Sequence, residues 1–455
     1  MKKFCLICCL VIAGCVGFAQ PASERIRNAV SVLVNDPQLR HAQISFIVLD
    51  AKTGKEIYGV NTETGLVPAS TQKVLTAIAA FDLMGPSFRY TTSFSILNNE
   101  KTKVLLVTSS GDPTLGSNRW QQTGESAILG KIRAGLGTAG IEPSAITAIS
   151  FFNPGYSSAL VPEGWIWQDI GNYYGAGSHS FNWRENQFDI LFKTGNAIGD
   201  PVTVSGTSPS YAGKYHFDVS ELKTAAKGSG DNGYVFFDVW NNNGFRVNGT
   251  LPAGESKFPI SAAHPHPSQY FIDMLMGNGF PNIKMVEPSG SVERIIYQHQ
   301  SPSLDSMVYW FLQKSINLYG EALIQTIAMK QTGKGLTASG VKALQEFWRN
   351  RGIDTGALHI MDGSGLSPLN RVSSKALATA LLYARRQPWY PAFYKALPLI
   401  NGQHMKSGFI EGARSYAGYQ QSKDGHEYVF AIIVNNYEGS SSVTRKLWTV
   451  LNMLK

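Results

Sequence analysis

Apolar and polar positions change their period several times along the chain, and each change marks an element. Ser23 to Asn35 repeats apolar residues at helical spacing. The segment Ile44-Ser-Phe-Ile-Val-Leu-Asp50 then alternates as a strand and turns through Ala51-Lys-Thr-Gly54 into Lys55 to Val60. This hairpin leads into an apolar helix opened by Pro68 and stopped by Gly85-Pro86, with Val74, Leu75, Ile78, Phe81 and Leu83 as its expected buried face. From about Arg89 to Ala262 the pattern is one of short strands: Tyr90 to Leu97, Lys103 to Thr108, Ala148 to Phe152, Phe188 to Phe192, Val202 to Ser205 and Tyr234 to Val239. Asn241-Asn242-Asn243-Gly244 is a hairpin turn signal among them. Helical spacing returns over Ser303 to Lys314, Leu318 to Gln331, Thr337 to Arg351 and Ser373 to Arg386, with a polar break at Ser315-Ile316-Asn317. Strands at Gly402 to Phe409, Arg414 to Tyr419 and Glu427 to Asn435 and a helix from Ser442 to Leu454 close the chain. Strands at both ends with helices between predict one antiparallel sheet flanked by helices. The expected fold is therefore α+β, with residues 20–88 and 263–455 forming one domain and a mostly β insertion at 89–262.

The opening residues belong to another class of segment. Lys2 and Lys3, an apolar run from Phe4 to Val16 and Gly17-Phe18-Ala19 read as a secretory leader over residues 1–19, too short to remain as a spanning anchor. A rival reading is processing at Cys15, after Ile12-Ala13-Gly14, which would leave a lipid-mediated, peripheral membrane association. All four cysteines (Cys5, Cys8, Cys9 and Cys15) lie in this leader, so cleavage after Ala19 leaves no disulfide, thiol nucleophile or thiolate metal site. The formal charge of +8 falls to +6 without Lys2 and Lys3. With no basic cluster interleaved with aromatics, nucleic acid is not an expected partner, and the excess suits an anionic polymer or surface.

Three short polar stretches carry the candidate chemistry. Ser70 and Lys73 sit three residues apart at the start of an apolar helix, hence on one face. A serine hydroxyl needs a neighbouring base, and a lysine kept neutral by burial and a second cation can serve. Ser-x-x-Lys also occurs at Ser220/Lys223 and Ser339/Lys342, the first in a polar stretch and the second on an ordinary amphipathic helix. Lys406-Ser407-Gly408 opens a strand, offering a cation and a hydroxyl for a carboxylate and a glycine that lets another group lie close. Its decoys are Lys52-Thr53-Gly54, at a hairpin tip, and Lys193-Thr194-Gly195. Ser315-Ile316-Asn317 lies between two helices, where side chains can project into a cleft, whereas its competitor Ser180-Phe181-Asn182 lies in a glycine-rich loop.

Ser-x-x-Lys, Ser-x-Asn and Lys-Ser-Gly, in this order on helix, inter-helix loop and strand, are the motifs shared by penicillin-binding proteins and serine β-lactamases. The wide gap from Ser70 to Ser315, filled by a β-rich insert, resembles the D-alanyl-D-alanine carboxypeptidase/endopeptidase family, the low-molecular-mass class C penicillin-binding proteins. Gly111-Asp-Pro-Thr-Leu115, Gly164-Trp165 followed by Asp169, Tyr174-Gly-Ala176 and Asp362-Gly-Ser-Gly-Leu-Ser367 extend the resemblance over nearly the whole mature chain. It implies a periplasmic enzyme acting on peptidoglycan stem peptides and acylated by β-lactams, without cofactor or metal. Ser70 would attack, Lys73 take the proton, Ser315 relay it and Asn317 hold Lys73 and a substrate amide. Lys406 and Ser407 would bind the terminal carboxylate, while the backbone N–H groups of Ser70 and Phe409 would bind the oxyanion, beside Gly408. Two positions depart from the family pattern: Phe409 stands where a threonine is common, and Pro368 where an arginine is common, with Arg371 three residues on. Asp169 and Arg371 are the candidates for the side-chain pocket of the stem peptide.

Two other functions fit parts of the pattern. A serine β-lactamase would turn over a penicillin adduct rapidly, and a catalytically idle wall-binding protein would bind wall polymer irrespective of Ser70. Gly135-Leu-Gly-Thr-Ala-Gly140 matches a dinucleotide fingerprint in letters only, since it follows a helix (Ser126 to Ala134) and reads as its ending turn. His264-Pro-His266 reads as a loop. Trp165, Trp167, Trp183 and Trp240 read as core residues, with a sugar-stacking platform as the alternative.

Overall fold

A computed structural model describes residues 21–98, 103–156, 161–212, 215–238 and 244–455. The expected leader, Trp240 and the Asn241 to Asn243 part of the turn signal lie outside the described residues. The chain ends meet in one antiparallel sheet, in the order Leu399–Ile400, Gln403–Ile410, Ala413–Gln421, Glu427–Asn435, Gln43–Asp50 and Glu56–Val60. Its central strands are apolar on both faces, as a sheet covered on both sides requires. Phe46, Val48, Phe430 and Ile432 point to helices Ala22–Val34 and Ser440–Leu451. Ile47, Leu49, Ala431 and Ile433 point instead into the core that holds the helix Lys73–Met84.

That helix is buried on every side over its first nine residues, between the sheet and the helices Asn317–Thr332 and Ser374–Arg385. Leu83, expected in its buried face, is 38% exposed in the last turn. Ala77, Ala79 and Ala80 are buried in its place, because small side chains are what allow neighbours to close on all sides.

The inserted lobe contains a five-stranded sheet, a three-stranded sheet and a four-stranded sheet, all three sharing a core with Trp183, Phe188 and Phe271. Its pairing runs past residue 262. Ser291–Gln300 lies antiparallel to Thr91–Asn98, and helix Pro267–Gly277 buries Tyr270, Phe271 and Met274 among the insert's aromatics. Register shifts at Val292/Arg294 and Ile295/Tyr297 break the two-residue period of this mostly exposed edge strand, which is why the sequence does not display it. The helix begun near Ser126 continues to Thr138 through Gly135, where a Cβ would come within 2.1 Å of the Ile296 carbonyl oxygen. The glycine therefore permits a helix to lie on a strand, and the turn comes only at Gly140.

Candidate active site

The Ser70 segment begins as a tight 3₁₀ turn, Ala69–Gln72, that feeds directly into the helix starting at Lys73. Two glycines let it sit where it does. A Cβ on Gly365 would lie 2.1 Å from the Ala69 carbonyl oxygen, and one on Gly408 would lie 2.5 Å from that of Pro68 and 3.0 Å from the backbone nitrogen of Ser70. The Lys-Ser-Gly strand thus runs against the start of the serine turn, as the motif's glycine suggests. Thr71 Oγ1 and Ser415 Oγ both donate to the Pro68 carbonyl, fastening the turn to the next strand.

Lys73 is fully buried, and three oxygens surround its amine: Ser70 Oγ at 2.9 Å, Asn317 Oδ1 at 2.6 Å and the Ser364 carbonyl at 2.7 Å. A neutral amine has two N–H groups and one lone pair. With both N–H groups on Asn317 and Ser364, the lone pair faces the Ser70 hydroxyl, which can then donate. Burial pushes the Lys73 amine well below the ordinary lysine range, and the nearby Lys406 cation adds to the effect, while Asp362 and Glu321 oppose it. Lys406 is itself buried, donates to the Ser407 carbonyl at 2.9 Å, and is pushed down by burial to about 7.

Asn317 is the first residue of its helix, and its amide also donates to the Tyr174 carbonyl at 2.7 Å, linking the insert to the lysine. Ser315 adopts a left-handed conformation, φ 56°, in the short break before that helix. It lines, with Ser70, Asn317, Asp169 and Phe409, a cleft of about 1490 Å³ between the insert and the helical region. Asp169 is raised to about 6 by burial, and its hydrogen bond with Tyr174 opposes the shift. Phe409 is 50% exposed at the cleft edge, under the guanidinium of Arg414 at 4.3 Å from its ring centre. Ser407 is half-buried.

Arg371 is not part of this cleft. Its guanidinium donates to the Pro368 and Asn370 carbonyls, both at 2.7 Å, and so closes its own loop. Two of the competing motifs are engaged elsewhere. Ser220 is an exposed turn residue bonded to Asp218, and Asn182 spends its amide on the His179, Gly111 and Asp112 carbonyls. His264 is buried, stacked on Tyr270 at 4.1 Å, and among the described residues no cluster of three or more His, Cys, Asp or Glu could hold a metal.

A buried acidic layer behind the lysine escapes a reading of spacing. Asp362 takes hydrogen bonds from Gln72, Gly365, Ser367, Asn370 and Trp165. Glu321, one turn along the helix from Asn317, accepts from the Gly363 N–H at 3.1 Å. Gly320 and Gly363 let the two backbones touch, so Ser364 can aim its carbonyl at Lys73. The glycine spacing in Asp362-Gly-Ser-Gly365 was the available signal. Burial, reinforced by Asp362, pushes the Glu321 carboxyl up to about 8. An acid raised from 4.5 to about 8 binds its proton more tightly when folded, so its contribution to stability is full below 4.5 and is lost as pH rises through 8. Glu321→Gln, which keeps an acceptor for Gly363 and cannot ionise, is expected to melt progressively higher relative to wild type from pH 5 to 9. A constant difference in Tm over that range would contradict the assignment.

The α+β fold and the arrangement around Ser70 define a penicillin-binding protein type of architecture. The solved penicillin binding protein 4 (dacB) from Haemophilus influenzae superposes with a TM-score of 0.76 at 20% identity, over 93% of this chain and 97% of that one. The chain belongs to the D-Ala-D-Ala carboxypeptidase 3 (S13) family of peptidases, whose model matches residues 26–404. It is similar to the D-alanyl-D-alanine carboxypeptidase of an Actinomadura species, 24% identical over 91% of this chain and 81% of that protein. Likewise, it is similar to D-alanyl-D-alanine carboxypeptidase DacB of Haemophilus influenzae, 22% identical over 87% and 86%. Among the described residues no helix is long and apolar enough to cross a membrane.

Proposed function

We propose that the protein is an exported serine DD-peptidase that cleaves peptidoglycan stem peptides through an acyl-enzyme on Ser70 and is acylated by β-lactams. The observation that carries this reading is the amine of Lys73, fully buried and 2.9 Å from the Ser70 hydroxyl, with its other two directions taken by Asn317 and Ser364. A solved complex of Haemophilus influenzae penicillin binding protein 4 with a novel β-lactam supports it by fold, at a TM-score of 0.71 and 19% identity.

In the proposed reaction Ser70 Oγ adds to the carbonyl of the D-Ala-D-Ala bond as its proton passes to Lys73. The developing oxyanion meets the N–H groups of Ser70 and Phe409, one such donor being worth about 3 to 4 kcal/mol. Ser315 carries the proton on to the leaving amine, D-alanine departs, and water then cleaves the ester with the same base. Lys406 receives the terminal carboxylate. Asp169 faces the same cleft and offers a carboxylate to an amine on the peptide side chain, whereas Arg371, bound within its own loop, has no part in it.

The pH dependence follows from the two lysines. Lys73 acts when neutral, so activity rises with pH; Lys406 holds the carboxylate when cationic, so binding weakens as pH rises through about 7. A bound carboxylate stabilises the cation, so the alkaline limb is expected near 7 in kcat/KM and higher in kcat. A kcat/KM flat to pH 9 would detach Lys406 from the carboxylate. The reading as a whole is tested by incubating the protein with a peptide ending in D-Ala-D-Ala and, separately, with labelled penicillin. Free D-alanine and one covalent label per chain are expected; the absence of both would overturn it.

A further inference from the structure

Beside the cleft the insert builds a shelf of half-exposed aromatic rings that the peptide chemistry does not use. Trp167 is 41% exposed, Tyr173 and Tyr234 are each 54% exposed, and Phe236 lies against Trp167 with ring centres 4.9 Å apart. Of the tryptophans expected in the core, Trp183 is there, but Trp167 is not. Tyr234 and Phe236 are two residues apart on one strand, hence on one face, and both border the same cleft as Ser70.

The shelf is rigidly made. Gly171 lets its loop press onto that strand, since a Cβ there would be 2.4 Å from the Val235 carbonyl oxygen, and Asn172 Oδ1 accepts from the Val235 N–H at 2.9 Å. Trp167 Nε1 donates to the Phe237 carbonyl at 3.1 Å, which leaves its polar group satisfied and its ring face available. The neighbouring Tyr174 carbonyl is held by Asn317, so the shelf and the reacting serine keep a fixed relation. Contiguous exposed apolar surface on a braced backbone marks a contact site.

We propose that Trp167, Phe236, Tyr234 and Tyr173 form a subsite for the glycan strand that carries the stem peptide. This rests on the DD-peptidase reading for the identity of the polymer. Stem peptides are built of small and charged residues and offer little flat apolar surface. The broad C–H faces in the same polymer belong to its pyranose rings, which can stack on aromatic faces while their hydroxyls stay wet. An extended peptide covers at most about 3.3–3.6 Å per residue, so three or four residues keep the attached sugar within roughly 15 Å of the scissile bond, and Tyr173, Tyr234 and Phe236 border the same cleft as Ser70.

The test compares the wild-type protein with Trp167→Ala, Tyr234→Ala and the double variant on two substrates bearing the same peptide, one free and one attached to glycan. The double variant is expected to lose at least about tenfold more kcat/KM on the glycan-borne peptide than on the free one. Sedimentation with glycan strands stripped of peptide by an amidase is expected to show binding weakened to a similar extent. Equal losses on both substrates, or none on either, would overturn the subsite. Trp167→Phe, which keeps a ring face, is expected to recover most of the discrimination and guards against a folding defect. If no variant or wild type releases D-alanine, the peptidase reading fails, yet ring-dependent sedimentation with stripped glycan still reports on the shelf by itself.

Discussion

Ser70→Ala is expected to lower D-alanine release by about 10⁴-fold or more and to abolish covalent penicillin labelling, with the fold intact. The hydroxyl is half-buried and hydrogen-bonds the Lys73 amine, so its removal opens no core cavity and leaves the turn's own bonds in place. The turn is held by Thr71 and Ser415 through the Pro68 carbonyl, and by the close seats of Gly365 and Gly408. Non-covalent affinity for the peptide should therefore persist while turnover disappears, which steady-state kinetics and equilibrium binding can separate. Residual turnover within about tenfold of wild type would place the nucleophile elsewhere.

Lys73→Met and Lys73→Arg are expected to share a loss of about 10² to 10⁴-fold in acylation rate, the usual scale for a positioned general base. Arginine is the informative partner, since its guanidinium cannot be neutral in a protein. Were Lys73 a source of positive charge, arginine would restore activity; as a proton acceptor, it cannot be replaced that way. Methionine leaves the Asn317 and Ser364 oxygens without their amine, costing about 1–3 kcal/mol for each group stranded, but also removes an amine that is expensive to bury. These terms oppose one another, so thermal stability is expected to change far less than activity. Stopped-flow acylation with a chromogenic β-lactam, read against a melting curve, checks both parts.

Patterns with short range were the legible ones. The apolar runs of Ile44 to Asp50 and Glu427 to Asn435 read as strands, and they pair in one sheet although they lie at opposite ends of the chain. The three polar stretches were readable from their residue types and their order along the chain, and the structure places Ser70 in a turn before a helix, Asn317 at a helix start and Lys406 within a strand. What stayed hidden depends on contacts between remote backbones. Glu321 is one acid among many in the sequence, and only the approach of Gly363 to Gly320 places it behind the lysine. Arg371 reads as a free cation, but nearby carbonyls of its own loop capture it. Trp167 reads as a core residue because tryptophans usually are, and its exposure is set by how Gly171 seats its loop on the strand of Tyr234.

Mass spectrometry of the protein after brief exposure to penicillin, followed by peptide mapping, addresses the chemistry at its source. A single adduct on the peptide containing Ser70, absent from Ser70→Ala and strongly slowed in Lys73→Met, is the predicted result. An adduct on a peptide lacking Ser70, or equal labelling of all three proteins, would contradict it.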